Sequence, residues 1–188
     1  RTVIWAHGIS GCLAAMALMW RKFGKPDPSM TCNGLLAGLV AITAPCAFVA
    51  PWAAAVIGAV AGVIVVYVVI WMDHKAKVDD PVGAVAVHGA NGLWGVIAVG
   101  LFADGKYGDG LNGVAGGVKG LLTGGGADQL LAQLTDAVVL VVFCSIMTFT
   151  FFTILKKANV LRSDPDHEVA GLDLPEMGAM AYPDFLEA

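Results

Sequence analysis

Five long apolar stretches, almost empty of charge, leave this chain few ways to fold: about Val3–Trp20, Gly34–Ala50, Trp52–Met72, Pro81–Ala103 and Leu130–Leu155. A helix that crosses a bilayer needs roughly 20 mostly apolar residues, and it must satisfy its backbone internally because the hydrocarbon offers no water. All five stretches read as such helices. The expected class is therefore an all-α integral membrane protein, with five transmembrane helices within residues 1–157 and a polar tail over 158–188. Of the 188 residues 57% are apolar and 14% charged, against about 25% charged in an ordinary soluble domain. A net charge of -4 gives no polyanion-binding surface, so no nucleic-acid partner is expected.

The second stretch is interrupted by Thr43-Ala44-Pro45, which predicts a kink where Pro45 removes a backbone donor. Basic residues set the orientation, since positive loops stay cytoplasmic. Arg21, Lys22, Lys25, Lys75, Lys77, Lys156, Lys157 and Arg162 fall on one side of alternating spans, and Arg1, Lys106 and Lys119 on the other. The tail is then cytoplasmic. The connection Asp104–Asp128 is glycine-rich, with a short helix expected around Leu111–Leu122. The chain opens inside a span at Arg1, without the basic n-region of a signal peptide, which predicts a piece of a longer protein. Cys12, Cys32, Cys46 and Cys144 lie far apart and read as small buried apolar residues, so no disulfide, metal or cofactor is expected.

Ionisable groups inside apolar spans are expensive and therefore informative. His88 lies in the fourth stretch, in Val85-Ala86-Val87-His88-Gly89-Ala90-Asn91-Gly92. Neutral imidazole carries one donor and one acceptor nitrogen, which suits it to pass a proton or hold a small polar solute. The plainer reading, a packing histidine bonded to a neighbouring carbonyl, is the commoner case. Asp79-Asp80-Pro81 reads as a helix start, with Pro81 in the first turn and Asp79 as the cap. Asp80 lies eight residues below His88 on a similar face, placed to organise the mouth of the span as well as to cap. Gly89, Gly92 and Gly95 recur at every third position, and Gly34/Gly38 and Gly58/Gly62 at every fourth. Both are helix-packing signals. His7 and Asp136 sit near span ends, where interfacial solvation suffices, while His74 and His167 fall in polar segments. No Ser/His/Asp or Cys/His grouping has usable spacing, so an enzyme is not expected.

Three blocks are more specific. Asn33-Gly34-Leu35-Leu36-Ala37-Gly38-Leu39-Val40-Ala41-Ile42-Thr43-Ala44-Pro45-Cys46, then Asp79-Asp80-Pro81 to His88-Gly89, Gly92 and Trp94-Gly95, then Gly171-Leu172-Asp173, Gly178 and Ala181-Tyr182 closely resemble the ammonium transporter family (Amt/MEP/Rh), in the family's order. The resemblance covers essentially the whole chain. It implies a homotrimer of eleven-helix subunits, each with its own pore, the first ten helices forming two inverted repeats. This chain corresponds to helices seven to eleven and the tail. The implied activity is ammonium or ammonia transport through a narrow apolar pore with a histidine proton relay, in a multi-pass plasma or inner membrane protein. His88 matches the second of the family's two pore histidines. Asp80 matches the acidic residue related by the repeat symmetry to the substrate-site aspartate of the first half, which implies a structural role beside Asp79 and Pro81. Gly171, Leu172, Asp173, Gly178 and Tyr182 match the tail segment that couples subunits. In many bacteria a PII signalling protein docks on that cytoplasmic face. The family often has His-Gly-Glu where this chain reads Met177-Gly178-Ala179. The alternative reading is an ammonium sensor that signals through its tail to a PII-type partner.

Overall fold

The structure is a computed structural model and describes residues 2–108, 110 and 117–181. The chain divides into two compact units, residues 1–139 and 140–188. Helices account for nearly all regular structure: α1 (Thr2–Phe23), α2 (Pro28–Ile42), α3 (Pro51–Trp71), α4 (Asn91–Phe102), α5 (Asp128–Lys157) and α6 (Pro165–Ala170). Wide π-turns occupy Met72–Ala76, Val85–Ala90 and Asp173–Met177.

Local chemistry sets the helix ends. Asp27 caps α2 by accepting from the Met30 N–H at 2.6 Å, and Pro28 stands where a missing N–H is harmless. The helix thus starts six residues before the expected Gly34. It ends at Ile42 instead of kinking and running on to Ala50. Pro45 has no N–H to continue the ladder, its ring disfavours a helical Ala44, and the Thr43 hydroxyl donates to the Val40 carbonyl at 2.7 Å. Close turns follow, with Cys46 N–H donating to Ile42 O at 2.8 Å and Phe48 N–H to Pro45 O at 2.8 Å.

Each of the five expected stretches holds a helix. Among the described residues, three segments are long and apolar enough to cross a membrane: Pro51–Ala76, Val85–Phe102 and Asp128–Lys157, with mean hydropathies of 2.8, 1.5 and 2.6. The truncated α2 is a shorter apolar helix.

In the first unit α1, α2 and α3 pack through their glycines. A Cβ on Gly38 or Gly58 would lie 2.5 Å from the His7 carbonyl oxygen, and one on Gly11 or Gly62 would run into the Gly34 or Gly11 carbonyl. Lipid tails are as apolar as leucine, so close backbone approach and dispersion hold such helices together. The core between them is small: Ala15, Ala37, Ala41, Ala53, Ala61, Ile57, Val65 and Val66 are all buried. His7 is fully buried here and not interfacial, because α2 and α3 both close over its backbone. Only Cys12 is even partly buried, while Cys32, Cys46 and Cys144 are exposed. A chain that meets apolar surroundings need not hide apolar side chains from its own exterior.

The glycine-rich connection is tied back by Asp104 N–H to Phe48 O at 3.0 Å and Gly120 N–H to Ala103 O at 2.7 Å. Of the helix expected around Leu111–Leu122, residues 111–116 lie outside the described residues, and a 3-10 turn spans Leu121–Thr123. In the second unit, Asp164 caps α6 by accepting from the Asp166 N–H at 2.9 Å.

Candidate functional site

The segment from Asp79 to Gly95 is assembled from several anchors. Gly83 adopts φ +72°, reversing the chain so that its N–H donates to Asp80 O at 3.0 Å. A side chain is strained in that conformation, and a Cβ there would also crowd the Asn33 amide nitrogen at 3.0 Å. That amide donates from α2 to the Val82 carbonyl at 3.2 Å. The Asp80 carboxylate accepts from the Val85 N–H at 3.0 Å and caps the helical segment that begins there. The segment starts later than the expected Pro81, because the reversal at Gly83 lies between the proline and the helix. Pro81 is exposed in the turn, and of the two carboxylates read as caps it is Asp80 that makes the bond. Asp79, Asp80 and Pro81 come together with Val69, Met72, Asp73 and Val78 to line a cleft of about 250 Å³.

His88 stands in the π-turn Val85–Ala90. Such turns insert an extra residue into the helical ladder and recur at functional sites. This one buries Ala86 and Val87 and leaves Val85, His88 and Gly89 exposed. Asp80 and His88 are therefore not successive positions on one α-helical face, since a chain reversal and a wide turn separate them. Beyond the turn, Asn91 is fully buried and its Nδ2 donates to the Ala86 carbonyl at 2.8 Å. Trp94 Nε1 donates to Ile57 O of α3 at 3.0 Å, and a Cβ on Gly95 would sit 2.5 Å from the Ala41 carbonyl oxygen. The three glycines of the stripe differ. Gly95 touches α2 backbone and Gly92 has Val40 Cγ1 at 4.0 Å from its would-be Cβ, whereas Gly89 meets only Val85 Cγ1 at 3.7 Å among the described residues. Asn33, Asn91 and Trp94 stand in the strings read from the sequence, but none is given a role of its own there. The two asparagines carried the same signal as His88, a polar side chain in or beside an apolar stretch.

The tail residues organise a separate polar cluster. Gly171 and Gly178 take φ +104° and +69°, and the Asp173 carboxylate accepts from the Ala181 N–H at 3.1 Å. Tyr182 lies outside the described residues. Arg162 Nε and Nη2 donate to Glu168 Oε1 at 2.9 and 2.8 Å, and Nη2 to Oε2 at 2.6 Å. These bonds hold the Glu168 carboxyl below its ordinary value and raise the Arg162 guanidinium. Among the described residues no group of three His, Cys, Asp or Glu could hold a metal ion.

Apolar helices of membrane-spanning length, packed backbone to backbone and carrying one imidazole on an open face, define an integral membrane protein. The Ammonium Transporter Family model matches residues 4–182, and the chain belongs to that family. It is 48% identical over 180 residues to the ammonium transporter Amt2 of Archaeoglobus fulgidus, covering 94% of this chain and 37% of that protein. It is 43% identical over 178 residues to the putative ammonium transporter 1 member 5 of Arabidopsis thaliana, covering 93% and 36%. The chain therefore spans little more than a third of the length of these curated relatives. Among solved structures, a sensor Amt protein superimposes with a TM-score of 0.79 at 29% identity, covering 93% of this chain and 40% of that one. Candida albicans Mep2 does so at 0.77 and 24% identity, covering 88% and 36%, a likeness of fold.

Proposed function

We propose that this chain is the C-terminal part of an ammonium transporter subunit and that ammonium or ammonia passes beside His88. The observation that carries the reading is an imidazole inside an apolar, span-length segment that faces outward from its own helical unit, held on a turn braced from α2 and α3. A dehydrated cation in an apolar pore is costly, while neutral ammonia is not. Neutral His88, paired with a second pore histidine from the first half of the subunit, would take the proton and let ammonia move separately. Asp79, Asp80 and Pro81 act structurally at the mouth, Gly92 and Gly95 act in helix packing, and Gly89 leaves room beside His88.

On this reading residues 1–157 form five spans of an eleven-helix inverted-repeat homotrimer, and 158–188 a cytoplasmic tail in a plasma or inner membrane protein. The eight basic residues that follow alternate spans support the orientation. Gly171, Leu172, Asp173, Gly178 and Tyr182 couple subunits, and a PII protein docks at the cytoplasmic face. Relatives named as transporters support a non-enzyme. In the complete protein reconstituted in vesicles, His88→Ala is expected to change ammonium conductance or ion selectivity while the trimer stays intact. Unchanged flux and selectivity would remove His88 from the mechanism. The likeness to a sensor Amt protein favours one second reading, a sensor signalling through the tail. Ammonium-dependent PII binding without flux in the same vesicles would select it.

A further inference from the structure

We infer that Asn91 is a positioning residue for His88, holding the wide turn that aims the imidazole. The inference rests on the relay reading of His88. Asn91 grips that turn at two points. Its side-chain Nδ2 donates to the Ala86 carbonyl at 2.8 Å, two residues before His88, and its backbone N–H donates to the carbonyl of His88 itself. One residue therefore fixes the backbone on both sides of the Cα that carries the imidazole.

The burial of Asn91 argues that packing alone is not its purpose. It is fully buried, yet its Oδ1 has no hydrogen-bond donor among the described residues. A buried polar atom left unmet costs stability, and an apolar side chain of the same shape would leave none. What the amide supplies that such a side chain cannot is the bond to Ala86, and so the width of the turn. The bases on either side are firm. Upstream, Asp80 caps Val85. Downstream, Trp94 is bonded to Ile57 and Gly95 lies against Ala41. Without the Asn91 bond, the stretch between these bases is free to relax towards the ordinary helical ladder. That would drop the extra residue and rotate His88 by about 100° around the axis.

The test uses the complete transporter, labelled with nitrogen-15 at histidine and reconstituted in vesicles. The His88 ring signals are assigned by their loss in His88→Ala. In Asn91→Leu, which keeps the branched shape without the amide, these signals are expected to move. Flux should fall about tenfold, the scale of a misplaced reacting group, with a displaced pH profile and normal assembly. Should Asn91→Leu fail to assemble, Asn91→Ala takes its place, since it adds no volume. His88 signals that stay where they are, with flux and pH profile unaltered, would overturn the inference. Moved signals with unaltered flux, in a protein whose His88→Ala variant also transports normally, would support the tie between Asn91 and His88 and overturn the relay itself.

Discussion

At Gly62 and at Gly89 the chain carries the same residue and uses it differently. Gly62 lies where a Cβ would strike the Gly11 carbonyl and crowd Ala14, deep between α1 and α3. Gly89 lies beside His88 on a surface where, among the described residues, a Cβ would meet nothing but Val85. In the first region the missing side chain lets two backbones touch. In the second it leaves room next to an imidazole. Small residues at helical spacing thus do not carry one meaning, and the difference appears only once the neighbouring helices are in place.

Substitutions separate the two regions, and the largest effect belongs to the packed one. Gly62→Leu is expected to abolish the α1–α3 approach and destabilise the fold by about 4 kcal/mol or more, the range of severe overpacking. Loss of the folded species in detergent denaturation would register it, and a stable Gly62→Leu protein would refute the close packing. Trp94→Phe should cost about 1–2 kcal/mol, because it leaves the Ile57 carbonyl without its indole donor while keeping most of the ring. The same denaturation curve reads it, and a neutral result would separate α3 from the positioning of the His88 turn. Gly89→Ala should change stability by no more than about 0.5 kcal/mol, as at an uncrowded helical site. A loss on the scale of Gly62→Leu would mean that another element presses on Gly89 in the complete protein.

The smallest effect lies in the tail. Glu168 is held below the ordinary carboxylate range by Arg162. Its contribution to α6 is therefore fully present above the ordinary value and is lost as pH falls through the lowered one. Protection of the Glu168–Ala170 amides from exchange, taken relative to the intrinsic rate at each pH, should fall on acidification and with added salt, since the pair is exposed and screened. Glu168→Gln should flatten that acid response.

Much of the helical plan could be read from hydrophobic length alone, because a bilayer-spanning helix announces itself by its run of apolar residues. The ends were less legible. Pro45 was visible, but whether a proline bends a helix or stops it depends on the tertiary setting, and here Thr43 and the following turns complete the stop. Pro81 reads as a first-turn residue because Gly83 gives no sign in sequence that it takes φ +72° and reverses the chain first. His7 was misplaced for a related reason: nearness to a span end says nothing about which helices close over it. The π-turn has no sequence signature, so the relation of Asp80 to His88 could not be obtained from a period of 3.6. The place of His88 in an apolar, span-length segment and the small-residue stripes of α2 and α3 were legible, because an ionisable group or a repeated glycine in an apolar run has few alternative explanations.

The contact of α1 with Gly38, Gly58 and Gly62 also sets a register. It is made largely by carbonyl oxygens at His7 and Gly11, with the Ser10 hydroxyl and the Ala14 methyl beside them, so it has few rotamers with which to adjust. Sliding α1 by one residue moves it about 1.5 Å and turns it about 100°, bringing Cβ-bearing residues such as Ile9 and Cys12 towards the glycine grooves. The alignment of α1 is thereby specified closely by shape, which admits one setting and rejects its neighbours.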